Sequence, residues 1–189
     1  MSRVLDLLNA VADMLAGLPG PEGMLFADVR VELDRYELKD LLEESTRTPA
    51  ARVCYLRGAP KRQTSGRLDR DVSVAVILIA RRTGRATPAL SSADAAVLDL
   101  MEQVTGAIAA DPYMGLGRIS AAEIGDELVA VSDATSKKAM AIGLVEAKWC
   151  LLDVHAGQPE AAMSAGVIVD PRPVSITVGG ETLPPEDAP

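Results

Sequence analysis

Residues 71 to 82 read Asp-Val-Ser-Val-Ala-Val-Ile-Leu-Ile-Ala-Arg-Arg, an apolar run with charged residues at both ends. Successive side chains of a strand point to opposite faces. Both faces of this run are apolar, with Val72, Val74, Val76 and Leu78 on one and Ala75, Ile77 and Ile79 on the other. A strand of this kind is buried on both sides, and β-branched residues favour strand over helix. The run therefore predicts the central strand of a sheet that is covered by helices.

The length and composition indicate a globular protein. A chain of 189 residues suits one domain, or one domain with an extension, and can bury a substantial core without metal or disulfide. Only 3% of the residues are aromatic, so the core must be aliphatic. The sequence has no signal-peptide pattern and no apolar run of about 18 residues, so we expect a soluble protein that is not secreted and has no membrane partner.

Helical and strand periodicities on either side of the run give the order of elements. Hairpins would connect the strand pairs, which predicts an α+β fold with a mostly antiparallel or mixed sheet and helices packed on it. The predicted elements are a helix over Val4–Leu15, a strand over Phe26–Leu33, a short helix after Asp34, a strand over Ala51–Arg57, a long polar loop over Gly58–Gly66, the central strand, a helix over Ala93–Ile108, and strands over Leu128–Val131 and Met140–Val154, with Gly143 as a bulge or bend.

The character of the sequence changes after His155. Glycines and prolines interrupt the remaining residues, and Val174–Val178 is the one segment with a strand-like pattern. An isolated strand cannot satisfy its own backbone hydrogen bonds. We therefore predict an α+β domain over residues 1–155 and an extended C-terminal arm over 156–189, lying on the domain or on a neighbouring subunit.

The sequence offers little material for catalysis. His155 is the only histidine, and Cys54 and Cys150 belong to no metal-binding spacing. No nucleophile elbow or phosphate-binding glycine loop is present. Carboxylate pairs such as Glu123 and Asp126 are expected on solvated faces or loops. We predict no catalytic, metal-binding or cofactor-binding residues, no cofactor and no enzymatic activity.

Charge is distributed unevenly along the chain. The net charge is −8, which argues against general affinity for nucleic acid. Residues 51–85 nevertheless hold nine Lys and Arg against two Asp. This basic block is a solvated strand end and loop, a contact with a subunit or partner, or a contact with DNA. Arginine pairs bidentately with carboxylates and is enriched at interfaces, whereas the scarcity of aromatic residues disfavours single-stranded nucleic acid.

The layout resembles the tail-terminator proteins of long-tailed phages, most closely those of the Mu-like group. The matching features cover roughly residues 1–155. They are the amphipathic helix Val4–Leu15, the strand Phe26–Leu33, the hairpin Arg52–Arg57/Asp71–Arg82 with its basic loop, the helix Ala93–Ile108, and the closing hairpin Leu128–Val131/Met140–Val154. The arm after His155 departs from the resemblance.

The resemblance implies a structural virion protein without enzymatic activity. Its subunits would form a ring, expected to be a hexamer, at the head-proximal end of the tail tube, where it stops tube polymerisation and joins the tail to the head connector. The implied partners are other copies of the chain, the tail tube protein and the head-tail connector protein, with DNA at most passing through the lumen. The implied location is the tail and neck of the virion, after assembly in the host cytoplasm.

A closed ring needs heterologous contacts, in which one face of a subunit meets a different face of its neighbour. We expect basic residues at these contacts: Arg57, Lys61, Arg62, Arg67, Arg81, Arg82, Lys137 and Lys138. Two alternatives remain open. One is another neck protein (head closure or connector) or a tail-tube subunit, and the other is a small soluble enzyme or ligand-binding domain.

Overall fold

A computed structural model describes residues 2–21, 23–32, 47–81, 92–130, 139–154, 177–178 and 181–182. The chain divides into two units, Met1–Val154 and His155–Pro189. The helix predicted after Asp34 and most of the predicted arm lie outside the described residues.

The first unit is built on a five-stranded mixed sheet, which confirms the predicted α+β class. The order across the sheet is β3-β4-β5-β7-β6. Strand β3 is parallel to β4, and every other neighbouring pair is antiparallel. The strands are β1 Pro19–Gly20, β2 Gly23–Met24, β3 Asp28–Glu32, β4 Ala50–Arg62, β5 Leu68–Arg81, β6 Glu123–Ala130 and β7 Met140–Leu151, of which β1 and β2 form a separate small ladder.

Strand β5 is the central strand, as its sequence predicts. It pairs with β4 from Leu68 to Ile79 and with β7 from Arg70 to Arg81. Val72, Val74, Val76 and Leu78 are fully buried on one face. On the other face Ala75 and Ile79 are fully buried, while Ile77 is only partly buried.

Two described helices cover one face of the sheet. Helix α1 (Arg3–Ala16) and helix α2 (Ser92–Ala110) confirm the predicted helices. Their apolar stripes share one core cluster with the even-numbered side chains of β5, and we call this side of the sheet the helix face. The buried stripe residues are Leu7, Leu8, Val11 and Leu15 of α1 and Ala93, Val97, Leu100, Met101, Val104 and Ile108 of α2.

Two long-range contacts fasten the helices to the end of β7. The Arg3 guanidinium at the start of α1 donates to the carbonyl oxygens of Gly117 (3.0 Å) and Arg118 (2.8 Å) and to that of Leu152. The indole Nε1–H of Trp149, which is buried, donates to the Pro112 carbonyl just after α2 at 2.9 Å. These bonds satisfy backbone acceptors in the segments that follow α2 and β7.

Gly143 is not the bulge or bend that the sequence predicts. It lies in regular register between Leu78 of β5 and Val129 of β6. A Cβ atom built at this position would come within 2.6 Å of Val97 Cγ1 and 2.7 Å of Met101 Sδ, both on α2. The glycine is therefore explained by the close approach of α2 to the sheet. The register shifts lie instead at Tyr55/Arg57 of β4 and at Ile124/Glu127 of β6.

The largest differences from the predicted strand boundaries are in β4 and β6. Strand β4 continues to Arg62, so most of the predicted long loop Gly58–Gly66 is strand and only residues 63–67 form the turn. Strand β6 begins at Glu123, five residues before the predicted strand. Ile119 forms an isolated antiparallel bridge with Leu151, before the start of β6.

The second unit contains a described two-residue hairpin. Strand β8 (Thr177–Val178) pairs antiparallel with β9 (Glu181–Thr182).

Candidate assembly interface

The outer half of β4 is an open sheet edge. Strand β3 covers β4 only from Ala50 to Cys54. Beyond the bulge, residues 57–62 pair with β5 on one side, and all seven residues from 56 to 62 are exposed. We call residues 56–62 the basic edge, because Arg57, Lys61 and Arg62 lie on it. No described strand pairs with its free side.

A buried carboxylate holds the hairpin turn next to this edge. Asp69 is 1% exposed. It accepts hydrogen bonds from the backbone N–H of Asp153 (2.8 Å), from Gln63 Nε2 (2.7 Å) and from Arg67 Nε (2.9 Å) and Nη2 (3.2 Å). The turn also closes through the Gln63 N–H donating to the Arg67 carbonyl at 2.8 Å. The hairpin is thus tied both to itself and to the end of β7.

These contacts lower the pKa of Asp69 below its usual value. The largest cause is the backbone hydrogen bond from Asp153, and the bonds from Arg67 and Gln63 act in the same direction against the cost of burial. Arg67, one of the predicted interface residues, is therefore engaged inside its own subunit.

Three of the other predicted interface residues lie on the basic edge. Arg57 has a side chain that is 79% exposed, with Glu146 at 3.6 Å. Lys61 and Arg62 are exposed at the end of β4, opposite Asp69 and Leu68. Within the described part of the chain, neither Lys61 nor Arg62 forms an ion pair.

The remaining predicted residues are not brought to this edge by the described structure. Arg81 ends β5 and lies thirteen residues from Leu68, or about 43 Å along an extended strand. Arg82, Lys137 and Lys138 lie outside the described residues.

One member of the basic block has a structural role. Arg52 is 1% exposed, with Asp28 Oδ2 at 2.8 Å from Nη2 and Glu32 Oε1 at 3.1 Å from Nε. Burial raises the pKa of Asp28, but the hydrogen bonds and charges of Arg52 and Arg30 outweigh it, so the net pKa is lowered. This guanidinium binds β3 to β4 and is not available to a partner.

Strand β6, at the far edge of the sheet, carries the opposite charge. All eight of its residues are exposed. Glu123, Asp126 and Glu127 lie on it, and the side chain of Glu123 is 78% exposed. Leu128 is 59% exposed, with Val129 and Ile124 also exposed. We call residues 123–130 the acidic edge, and no described strand pairs with its outer side.

Sequence reasoning missed the acidic edge as a candidate site. The sequence predicts these carboxylates on solvated faces or loops, and a strand that is exposed at every residue has no alternating pattern to detect. The apolar pair Leu128-Val129 following three acidic residues was the available signal, because it places apolar side chains on a polar edge.

Two grooves lie on the side of the sheet opposite the helix face. An apolar groove of about 380 Å³ is lined by Ile77, Leu128, Val129, Ala130, Ile142, Gly143 and Leu144. A second groove of about 280 Å³ is polar and mixed in charge, with Arg57, Asp71, Ser73 and Lys148 among its lining residues. Lys148 pairs with Asp71 at 3.9 Å and with Glu123 at 4.0 Å, so the charges of this groove largely balance one another.

The Cys54 thiol is placed for packing. Cys54 is buried in β4, and burial, followed by the nearby Glu32 charge, raises its pKa to about 11. The thiol is therefore protonated at neutral pH and a poor nucleophile. The described residues contain no group of three or more His, Cys, Asp or Glu that could hold a metal, and no described helix is long and apolar enough to cross a membrane.

Comparison with known proteins leaves the family undecided. Neither the protein-family models nor the curated proteins give a match to this chain.

Proposed function

We propose that the protein is a tail-terminator subunit of a long-tailed phage. Copies would close into a ring, expected to be a hexamer, that caps the head-proximal end of the tail tube and presents a surface to the head connector. The resemblance in the order of elements supports this proposal, and the observed α+β sheet is compatible with it.

One observation carries the proposal. The basic edge and the acidic edge lie on different sides of the same sheet, because β6 and β4 are separated by β5 and β7. Surfaces of opposite charge on different sides of a subunit suit heterologous contacts, which generate rings when the rotation closes. A subunit that assembled through one self-complementary patch would not need this arrangement.

The apolar groove gives limited support to the ligand-binding alternative. A small-molecule site usually combines an apolar cavity with a few convergent polar groups. The residues lining the groove of about 380 Å³ are all apolar or glycine. The groove is also continuous with the exposed residues of β6, which fits a covered protein surface better than a ligand site.

Two measurements test the function. Light scattering at low and high salt should give a mass near six copies, with weaker assembly at high salt because exposed charge pairs are screened. Tubes grown from the tube-forming protein of the same phage should stop at short lengths when the purified protein is added, as seen by electron microscopy. Tubes of unaltered length would overturn the terminator role, and self-polymerisation of the protein into long tubes would favour the tube-subunit alternative.

A further inference from the structure

We propose that copies of the chain join by adding the acidic edge of one copy to the basic edge of the next, so that one sheet continues from subunit to subunit. This inference rests on the ring-forming function proposed above and specifies the surface that makes the ring.

The two edges match as strands. The basic edge, residues 56–62, and the acidic edge, residues 123–130, are similar in length and exposed throughout. An exposed edge presents backbone N–H and C=O groups that are ready to pair with another chain. The edges lie on opposite sides of the sheet, so each pairing uses the acidic edge of one copy and the basic edge of the next. The resulting pair still has one free acidic edge and one free basic edge, to which further copies can add.

The direction of the strands brings opposite charges together. Three successive antiparallel pairings separate β4 from β6, so the two strands run in opposite directions. Copies displaced across the sheet therefore pair them antiparallel. Lys61 and Arg62, at the end of the basic edge, then meet Glu123 and Asp126, near the start of the acidic edge.

The same orientation covers apolar surface at the other end. Leu128 and its neighbours approach Leu56, which is exposed at the start of the basic edge. The apolar groove beside Leu128 lies at this end as well. Pairing therefore removes exposed apolar area from water, which favours association.

Two residues of the basic edge restrict the choice of partner. Pro60 has no N–H to contribute to a ladder, and Lys61 carries a charge; both are common devices against unspecific pairing at exposed edges. An acidic strand compensates for the lysine charge, whereas a neutral or basic strand does not. The restriction thus favours β6 of another copy over an arbitrary strand.

The pairing also requires a stagger that suits a closed ring. If neighbouring copies were not shifted along the strand direction, Glu127–Ala130 of one copy would lie level with the part of β4 that β3 already covers in the next. A shift of about five residues, roughly 17 Å along the strands, brings the free edges together. Each copy contributes four strands between its two edges, β4, β5, β7 and β6, and these span about 19 Å across the sheet. These lengths give a strand tilt of about 40°, within the range of 35–45° that is typical of closed barrels.

A charge-swap experiment tests the pairing. The first variant is Lys61→Glu with Arg62→Glu, and the second is Glu123→Lys with Asp126→Lys. Each alone places like charges on both edges and should weaken self-association at least tenfold in light scattering. An equimolar mixture should assemble again, because each edge then meets an opposite charge on the other variant.

The control reverses two exposed charges that belong to neither edge, with Asp99→Lys and Glu102→Lys on α2. This variant should assemble like the wild type, and circular dichroism should show that all three variants are folded. Assembly of either edge variant at wild-type strength, failure of the mixture to assemble, or a wild-type protein that is monomeric at every concentration would overturn the pairing.

The experiments distinguish a failure of this edge pairing from a failure of the proposed terminator function. Wild-type rings that persist in both edge variants would remove this interface while leaving the terminator role in place. Charge-dependent assembly with no effect on tube length would establish the pairing and remove the terminator role.

Discussion

The two halves of β4 have the same partner on one side and opposite environments on the other. Residues 50–54 lie between β3 and β5 and are buried, whereas residues 56–62 are exposed and, after the bulge residue Leu56, pair with β5 alone. Arg52 in the first half is 1% exposed, and Arg57 in the second half is 79% exposed. A single strand thus contributes to the core at one end and offers an assembly edge at the other.

The difference shows that a basic block in a sequence is not a single surface. Arg52 is held by two carboxylates of the same subunit, and Arg67 by the buried Asp69. Lys61 and Arg62 lack such partners among the described residues. The charges that remain available for assembly are those that no internal carboxylate engages.

The largest expected effect comes from placing a carboxylate in the inner half. Val53→Asp removes a fully buried apolar side chain from the helix face. The lost burial costs about 1.5–3 kcal/mol, and the unpaired buried charge adds several more. We expect an insoluble protein or a free energy of unfolding lowered by at least about 4 kcal/mol in urea denaturation.

Ala59→Asp in the outer half is the matched change. Ala59 is exposed on the same strand and lies opposite Asp71 of β5, so the new carboxylate adds a like-charge pair and should lower the free energy of unfolding by less than about 1 kcal/mol. Equal effects of the two substitutions would show that the two halves do not differ in burial.

A smaller effect is expected from the buried arginine. Arg52→Met removes the guanidinium between Asp28 and Glu32 and leaves their carboxylates close together. Removal of one partner from a buried ion pair typically costs about 3–5 kcal/mol. Because Asp28 is partly exposed, we expect a loss near the lower end, about 3 kcal/mol, by urea denaturation.

Arg62→Met provides the comparison on the exposed half, with an expected change below about 0.5 kcal/mol. The pKa of Asp28, followed by NMR, should also rise in Arg52→Met, because the hydrogen bond and charge that lower it are gone. A stable Arg52→Met protein with an unchanged Asp28 pKa would mean that the ion pair does not join β3 to β4.

The elements that the sequence predicts well are those buried on a regular pattern. Strand β5 is apolar on both faces, and α1 and α2 have clear helical stripes, so their existence and order follow from periodicity. Residues 58–60 read Gly-Ala-Pro and suggest a turn, yet they form strand because β5 supplies a ladder on one side and the other side is open.

The candidate site is harder to predict for the same physical reason. Exposure of Lys61 and Arg62 follows from their charge, but the burial of Arg52 depends on Asp28 and Glu32, which reach it through the pairing of β3 with β4. The acidic edge depends on the position of β6 at the end of the sheet order, which no local pattern encodes.

The smallest expected effect is a pH dependence at the hairpin turn. The pKa of Asp69 is lower in the folded protein than the value of about 3.9 expected in the unfolded chain, so the folded state binds fewer protons near that pH. The stabilisation that Asp69 provides is therefore fully present above about pH 4 to 5, and it is lost as the pH falls through the lower folded pKa.

Asp69→Asn tests this directly. The variant should unfold more easily than the wild type in urea at pH 7, and the difference should shrink as the pH falls below about 4, because protonation removes the same charge from the wild type. Gln63→Ala, which removes one neutral donor to Asp69, should keep most of the pH dependence. A gap between wild type and Asp69→Asn that stays constant from pH 7 to pH 3 would show that the ionised carboxylate is not what holds the hairpin to the end of β7, and the basic edge would then need another support for its position.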